Sequence, residues 1–116
     1  MHEIGHALGF WHEHSRRDRD DYIKITWTNI EETRYLNFGH ISPEEFRSIP
    51  DVGYDLESIM HYGAYAFSKD RKNNRTIEVI VDLPSCAKSI GQRRELSFKD
   101  KLRINKLYQC TGEIVL

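Results

Sequence analysis

The stretch that most constrains this chain is HEIGHALGFWH, from His2 to His12. Histidines four residues apart on a helix share one face, with their Cβ atoms about 5–6 Å apart, near enough to hold a single ion. Zinc suits such a pair, because imidazole nitrogens bind it at about 2.0–2.1 Å in tetrahedral geometry and a catalytic site keeps one position open for water. Glu3, beside the first histidine, then stands where it can take a proton from that water rather than bind the metal. Three residues after His6, Gly9 can adopt the positive φ that ends a helix and turns the chain. The turn lets His12 return as a third ligand. A bare HExxH carries a real risk of chance occurrence, and the added Gly9 and His12 lower it by roughly a few hundredfold.

A second element follows in SIMHYG, Ser58 to Gly63. An elongated zinc motif followed by a methionine-bearing turn is the metzincin arrangement, in which Met60 would form an apolar floor beneath the metal. Tyr62 has three readings on spacing alone: an oxygen ligand to the metal, a hydrogen-bond donor to an oxyanion, or a half-buried tyrosine with no chemical role. His14 and His40 lack comparable geometry and read as solvated or locally hydrogen-bonded side chains.

The run HEIGHALGFWHEHSRRDRDDYI, with Glu13 after the third histidine, together with SIMHY and the later IGQRRELSFKDKLRINKLYQC, resembles the astacin family of metzincin endopeptidases over nearly the whole chain. The resemblance implies an α+β, zincin-like catalytic domain. It also implies that His2, His6 and His12 bind one catalytic zinc ion, that Glu3 is the general base, and that Tyr62 is a further zinc ligand which swings away to stabilise the transition state. Peptide bonds in protein or peptide substrates would be hydrolysed by zinc-activated water. The matching part is the lower, C-terminal subdomain, with the active-site helix, methionine turn, C-terminal helix and much irregular structure. The upstream sheet subdomain is expected to be missing, so residues 1–112 read as a partial peptidase domain and 113–116 as a tail. By the same resemblance the parent protein is secreted or extracellular and made with a propeptide, and Glu13 pairs with the amino terminus that propeptide removal exposes. The other reading is a truncated, non-catalytic fragment or a zinc-binding or interaction module derived from such an enzyme.

Composition fits a piece of one soluble domain: 116 residues, 39% hydrophobic and 30% charged, with a formal net charge of −1. Such a balance gives no electrostatic case for nucleic acid, and the absence of a long apolar run gives none for membrane contact by this segment. No signal peptide is visible at the start. Cys86 and Cys110 permit one disulfide or two free thiols. The resemblance places the usual partner of Cys110 upstream, leaving open whether Cys86 pairs with it here. Asn74, in NRT, is a glycosylation acceptor if the parent enters the secretory pathway.

Local patterns predict four elements. Tyr22 to Trp27 alternates Ile23, Ile25 and Trp27 against polar neighbours, as an extended segment does, and Arg75 to Val81 also reads as extended. SPEE, Ser42 to Glu45, starts a short helix running toward Ile49, before Pro50. Ser97 and Asp100 cap a helix expected to reach about Cys110. The run RRDRDD, Arg16 to Asp21, reads most simply as a solvated face of weak ion pairs, whereas the resemblance implies a salt-bridged loop bracing the third ligand.

Overall fold

A three-residue strand with alternating side chains cannot bury its apolar face without a partner, and the fold supplies one from fifty residues downstream. In the computed structural model, which describes residues 1–84 and 89–109, β1 (Ile23–Ile25) pairs antiparallel with β2 (Ile77–Val79). Ile23 lies opposite Val79 and Ile25 opposite Ile77. Ile23 and Ile25 are buried while Lys24 is exposed, so the period of two is obeyed. It fails at Trp27. There the chain enters a 3₁₀ turn, Trp27–Asn29, and the indole stays half-exposed, edge-on to Tyr35 and Phe38 at centroid distances of 6.0 and 6.2 Å. Around the ribbon, Ile23, Ile25, Ile30, Phe38 and Ile77 form one apolar cluster, against which Tyr62 and Phe67 pack. Burial of each such side chain contributes about 1.5–3 kcal/mol.

The first helix, α1 (His2–Ala7), is too short to persist unaided. Its end is tied off by Gly9 at φ +102°. The Gly9 N–H donates to the His6 carbonyl and the Phe10 N–H to the Gly5 carbonyl, both at 3.0 Å, the paired bonds of a Schellman cap. No atom lies within 4 Å of where a Cβ on Gly9 would stand, so conformation and not space demands glycine there. The turn drives Phe10 into a second cluster with Ile59 and Met60, joined by Leu8, Ile49, Leu96, Ile104 and Leu107.

Both expected capping boxes form. Ser42 and Glu45 start α2 (Pro43–Arg47), and Ser97 and Asp100 start α3 (Phe98–Leu107). No described helix is long and apolar enough to cross a membrane. Cys86, Cys110, the boundary after residue 112 and the 113–116 tail lie outside the described residues. Asn74 is exposed beyond the turn at Asp70, while Thr76, two residues on, is fully buried.

The charge run is solvated only in part, with Arg17, Asp20 and Asp21 exposed. Arg16 and Arg19 are both buried. The Arg16 guanidinium donates to both Asp18 carboxylate oxygens at 2.9 and 3.0 Å, to Asp51 at 3.2 Å and to the Gly53 carbonyl at 3.1 Å, and it lies over the Phe46 ring. Arg19 bonds the carbonyls of His14 and Phe38. A buried guanidinium needs partners for its donors, and here the carboxylates of Asp18 and Asp51 and the carbonyls of Gly53, His14 and Phe38 supply them.

Candidate metal centre

α1 carries His2 and His6 on one face, and the Gly9 turn brings His12 back to them. The Nε2 atoms of His2 and His6 stand 3.1 Å apart, and those of His6 and His12 3.2 Å apart. All three residues offer a ring nitrogen within a common span of 4.8 Å. Their tautomers can be assigned from their outer partners. His2 Nδ1 lies 2.7 Å from the Ile59 carbonyl and His6 Nδ1 2.9 Å from the Phe10 carbonyl. A carbonyl only accepts, so each Nδ1 is the donor and each Nε2 of the neutral ring carries a lone pair. Lone pairs facing one another at 3.1 Å repel unless a cation lies between them. Tetrahedral bonds of about 2.0–2.1 Å put ligand nitrogens about 3.3–3.4 Å apart, so this donor set fits zinc. Backbone carbonyls behind ligating histidines also orient the rings. Burial, aided by the neighbouring His6, lowers the pKa of His12 to about 4, which keeps its lone pair free at neutral pH.

The turn from Ser58 to Tyr62 supports these histidines from below. A Cβ added to Gly5 would stand 2.5 Å from the Met60 sulfur, so the glycine between the two helix histidines allows Met60 to press directly on α1. The Glu13 N–H donates to the Met60 carbonyl at 3.0 Å, tying the segment after His12 to the same turn. Asp100 clamps it from the other side. Its carboxylate accepts from Ser58 Oγ at 2.5 Å and from the Ile59 N–H at 2.9 Å, while still capping Ser97 at 3.1 Å.

Glu3 is exposed, one residue after His2 on α1. Tyr62 packs its ring beside His12, with centroids 4.5 Å apart. It is stacked on His14 at 3.8 Å and 26°, with Phe38 and Phe67 edge-on at 5.8 and 5.7 Å. Behind it, His61 is fully buried. His61 Nδ1–H donates to the Tyr62 carbonyl at 2.7 Å, and Nε2 accepts from the Tyr54 hydroxyl at 2.8 Å. Burial lowers the His61 pKa to about 4 and raises that of the Tyr62 phenol.

The resemblance gives Glu13 of a mature parent an amino terminus as partner; in this structure Glu13 is paired with Arg103. The two make a buried, bidentate pair at 3.0 and 2.8 Å, with the Asp55 N–H adding a bond of 2.8 Å to Glu13 Oε2. Arg103 also donates to the Gly53 carbonyl at 2.8 Å. A cue was available: on α3, Arg103 lies three residues after Asp100 and four before Leu107, on a face otherwise turned to the core. His14 offered no such cue. Read as solvated or locally bonded, it is fully buried and donates to the Asn37 carbonyl at 2.9 Å, whereas His40, given no role, lies exposed at 3.5 Å from Asp20.

Residues 1–109 match the family model Astacin, which describes a peptidase family. The chain is 46% identical over 110 residues to the low choriolytic enzyme of Oryzias latipes, covering 95% of the chain and 37% of that protein. It is 45% identical over 111 residues to astacin-like metalloprotease toxin 1 of Loxosceles intermedia, covering 95% and 40%. Among solved structures it superposes on high choriolytic enzyme 1, a hatching enzyme zinc-protease of Oryzias latipes, with a TM-score of 0.83 and 42% identity over 95% of this chain and 51% of that one. The zincin-like fold of that relative therefore holds here. The chain spans about two-fifths of the length of these curated relatives.

Proposed function

Because the chain belongs to the astacin family of peptidases, whose metalloproteases are zinc-dependent, we propose that it forms the zinc-binding, catalytic part of a metalloendopeptidase acting on protein or peptide substrates. The observation that carries this is the convergence of three imidazole nitrogens, two of them shown by their carbonyl partners to present bare lone pairs 3.1 Å apart. His2, His6 and His12 hold the metal, with Tyr62 as a further oxygen ligand. Zinc bound there supplies Lewis-acid polarisation of the scissile carbonyl and acidifies water. Glu3 takes the proton from the attacking water and returns it to the leaving amine, one carboxylate serving both transfers. Tyr62 donates its phenolic hydrogen to the oxyanion, an interaction stronger in the transition state than in the ground state. The half-burial of its ring strengthens that bond by excluding water. A parent protein that is secreted and carries a propeptide completes the proposal.

The test uses the full-length parent protein loaded with zinc and a quenched fluorescent peptide. Turnover abolished by a chelator and restored by zinc is expected. Glu3→Ala should keep stoichiometric zinc and lose hydrolysis. Loss of zinc in step with activity in that variant would count against the role given to Glu3.

A further inference from the structure

Tyr62 can serve an oxyanion only if its phenol is aimed, and the aim is set by what its ring touches. Of the four rings around it, His14 is the nearest and the most nearly parallel, at 3.8 Å and 26°, against 53° to 77° for His12, Phe38 and Phe67. His14 is fully buried. One of its nitrogens donates to the Asn37 carbonyl, while the other, Nδ1, has no hydrogen-bond partner among the described residues. As filler this is a poor choice, since phenylalanine would occupy the space without desolvating an unpaired nitrogen. What imidazole adds is a flat ring whose rotation is pinned by a directional bond to the backbone.

We infer that His14, pinned to the Asn37 carbonyl, is a positioning residue that sets the plane of the Tyr62 ring and so the line along which the Tyr62 hydroxyl reaches the metal centre. The inference rests on the oxyanion role proposed for Tyr62. His14 touches no reacting atom and acts through its neighbour. Aromatic stacking of this kind corresponds to a few-fold to tenfold effect, so the contribution is modest and specific.

The experiment is a double-mutant cycle on kcat in the zinc-loaded parent protein, with His14→Ala and His14→Phe in wild-type and Tyr62→Phe backgrounds. His14→Ala removes the plate. His14→Phe keeps the ring and the fold but loses the pin. In the wild-type background both should lower kcat, roughly 3–10-fold for alanine and less for phenylalanine, with KM and zinc content unchanged. In the Tyr62→Phe background neither should lower kcat further, because no hydroxyl is left to aim. Equal fractional losses in both backgrounds, or no loss from either variant, would overturn the inference. Should Tyr62→Phe itself leave kcat unchanged, the oxyanion role falls first and this inference with it, an outcome distinct from additivity. If the alanine variant does not fold, the phenylalanine variant alone decides between coupling and additivity.

Discussion

Helix α1 and the turn from Ser58 to Tyr62 meet across the metal centre and are built in opposite ways. α1 has six residues, only Gly5 among them buried, with Ile4 53% exposed. In the turn Ser58, Ile59, Met60 and His61 are all at 3% exposure or less, and its polar groups are bonded to Asp100, Tyr54, Glu13 and Arg93. His2 and His6 therefore ride on the lightly held side. Their positions come from the buried side, through the Ile59 carbonyl on His2 and Met60 against Gly5. Substitutions on the outer face of α1 should read out in chemistry, and substitutions around the turn in stability.

The largest contrast is expected from Glu3→Ala. Removing the exposed carboxylate proposed as general base should lower kcat by about 10²–10⁴-fold with the thermal midpoint unmoved; a parallel fall in stability would break the division. Next comes Asp100→Ala, which leaves the Ser58 hydroxyl and Ile59 N–H without their acceptor. Urea denaturation should record a loss of about 2–4 kcal/mol, and an unchanged midpoint would show that the clamp is dispensable. Gly5→Ala sharpens the comparison by striking the contact between the two regions. Overpacking against Met60 should cost about 1–3 kcal/mol and weaken zinc affinity as well, so a chelator competition assay on that variant should show both losses together. Full zinc affinity in a destabilised Gly5→Ala protein would mean that Met60 does not position the helix.

The smallest effect concerns pH. With its pKa lowered to about 4 by burial, from an ordinary 6.5, His61 binds a proton more readily in the unfolded chain than in the folded one. Stability from this group is present above about pH 6.5 and is lost as pH falls toward 4. Buried Asp55, whose carboxyl is pushed up by burial, acts in the opposite sense at lower pH, so the comparison belongs between about pH 7.5 and 5.5. In zinc-free protein the wild type should lose about 1 kcal/mol more than His61→Phe over that interval. Identical slopes would show that His61 titrates normally in the fold.

Legibility followed distance along the chain. The spacing of His2, His6 and His12, the left-handed turn at Gly9 and the capping boxes at Ser42 and Ser97 all rest on the helix period or on φ limits within a few residues, and each formed. Trp27 departed from its alternation because the strand ended in a turn after Thr26, whose N–H makes its last ribbon bond to the Thr76 carbonyl, and strand length depends on a partner. The charge run misled for a related reason. RRDRDD has the composition of a solvated face, and the partners that let Arg16 and Arg19 be buried include groups brought from distant segments, the Asp51 carboxylate and the carbonyls of Gly53 and Phe38.

What the sequence determined by itself was the set of groups able to bind metal and the local bends that let them meet, because those depend on backbone geometry that residue type and spacing already restrict. Only the tertiary structure decided which imidazole nitrogens are free, since the carbonyl that fixes the His2 tautomer lies 57 residues away. It also decided that Glu13 is neutralised by Arg103, 90 residues away, and that Tyr62 lies flat on His14. A buried charge or ring dictates that some complementary group must come to it, but not which one; that choice belongs to the packing of the whole chain.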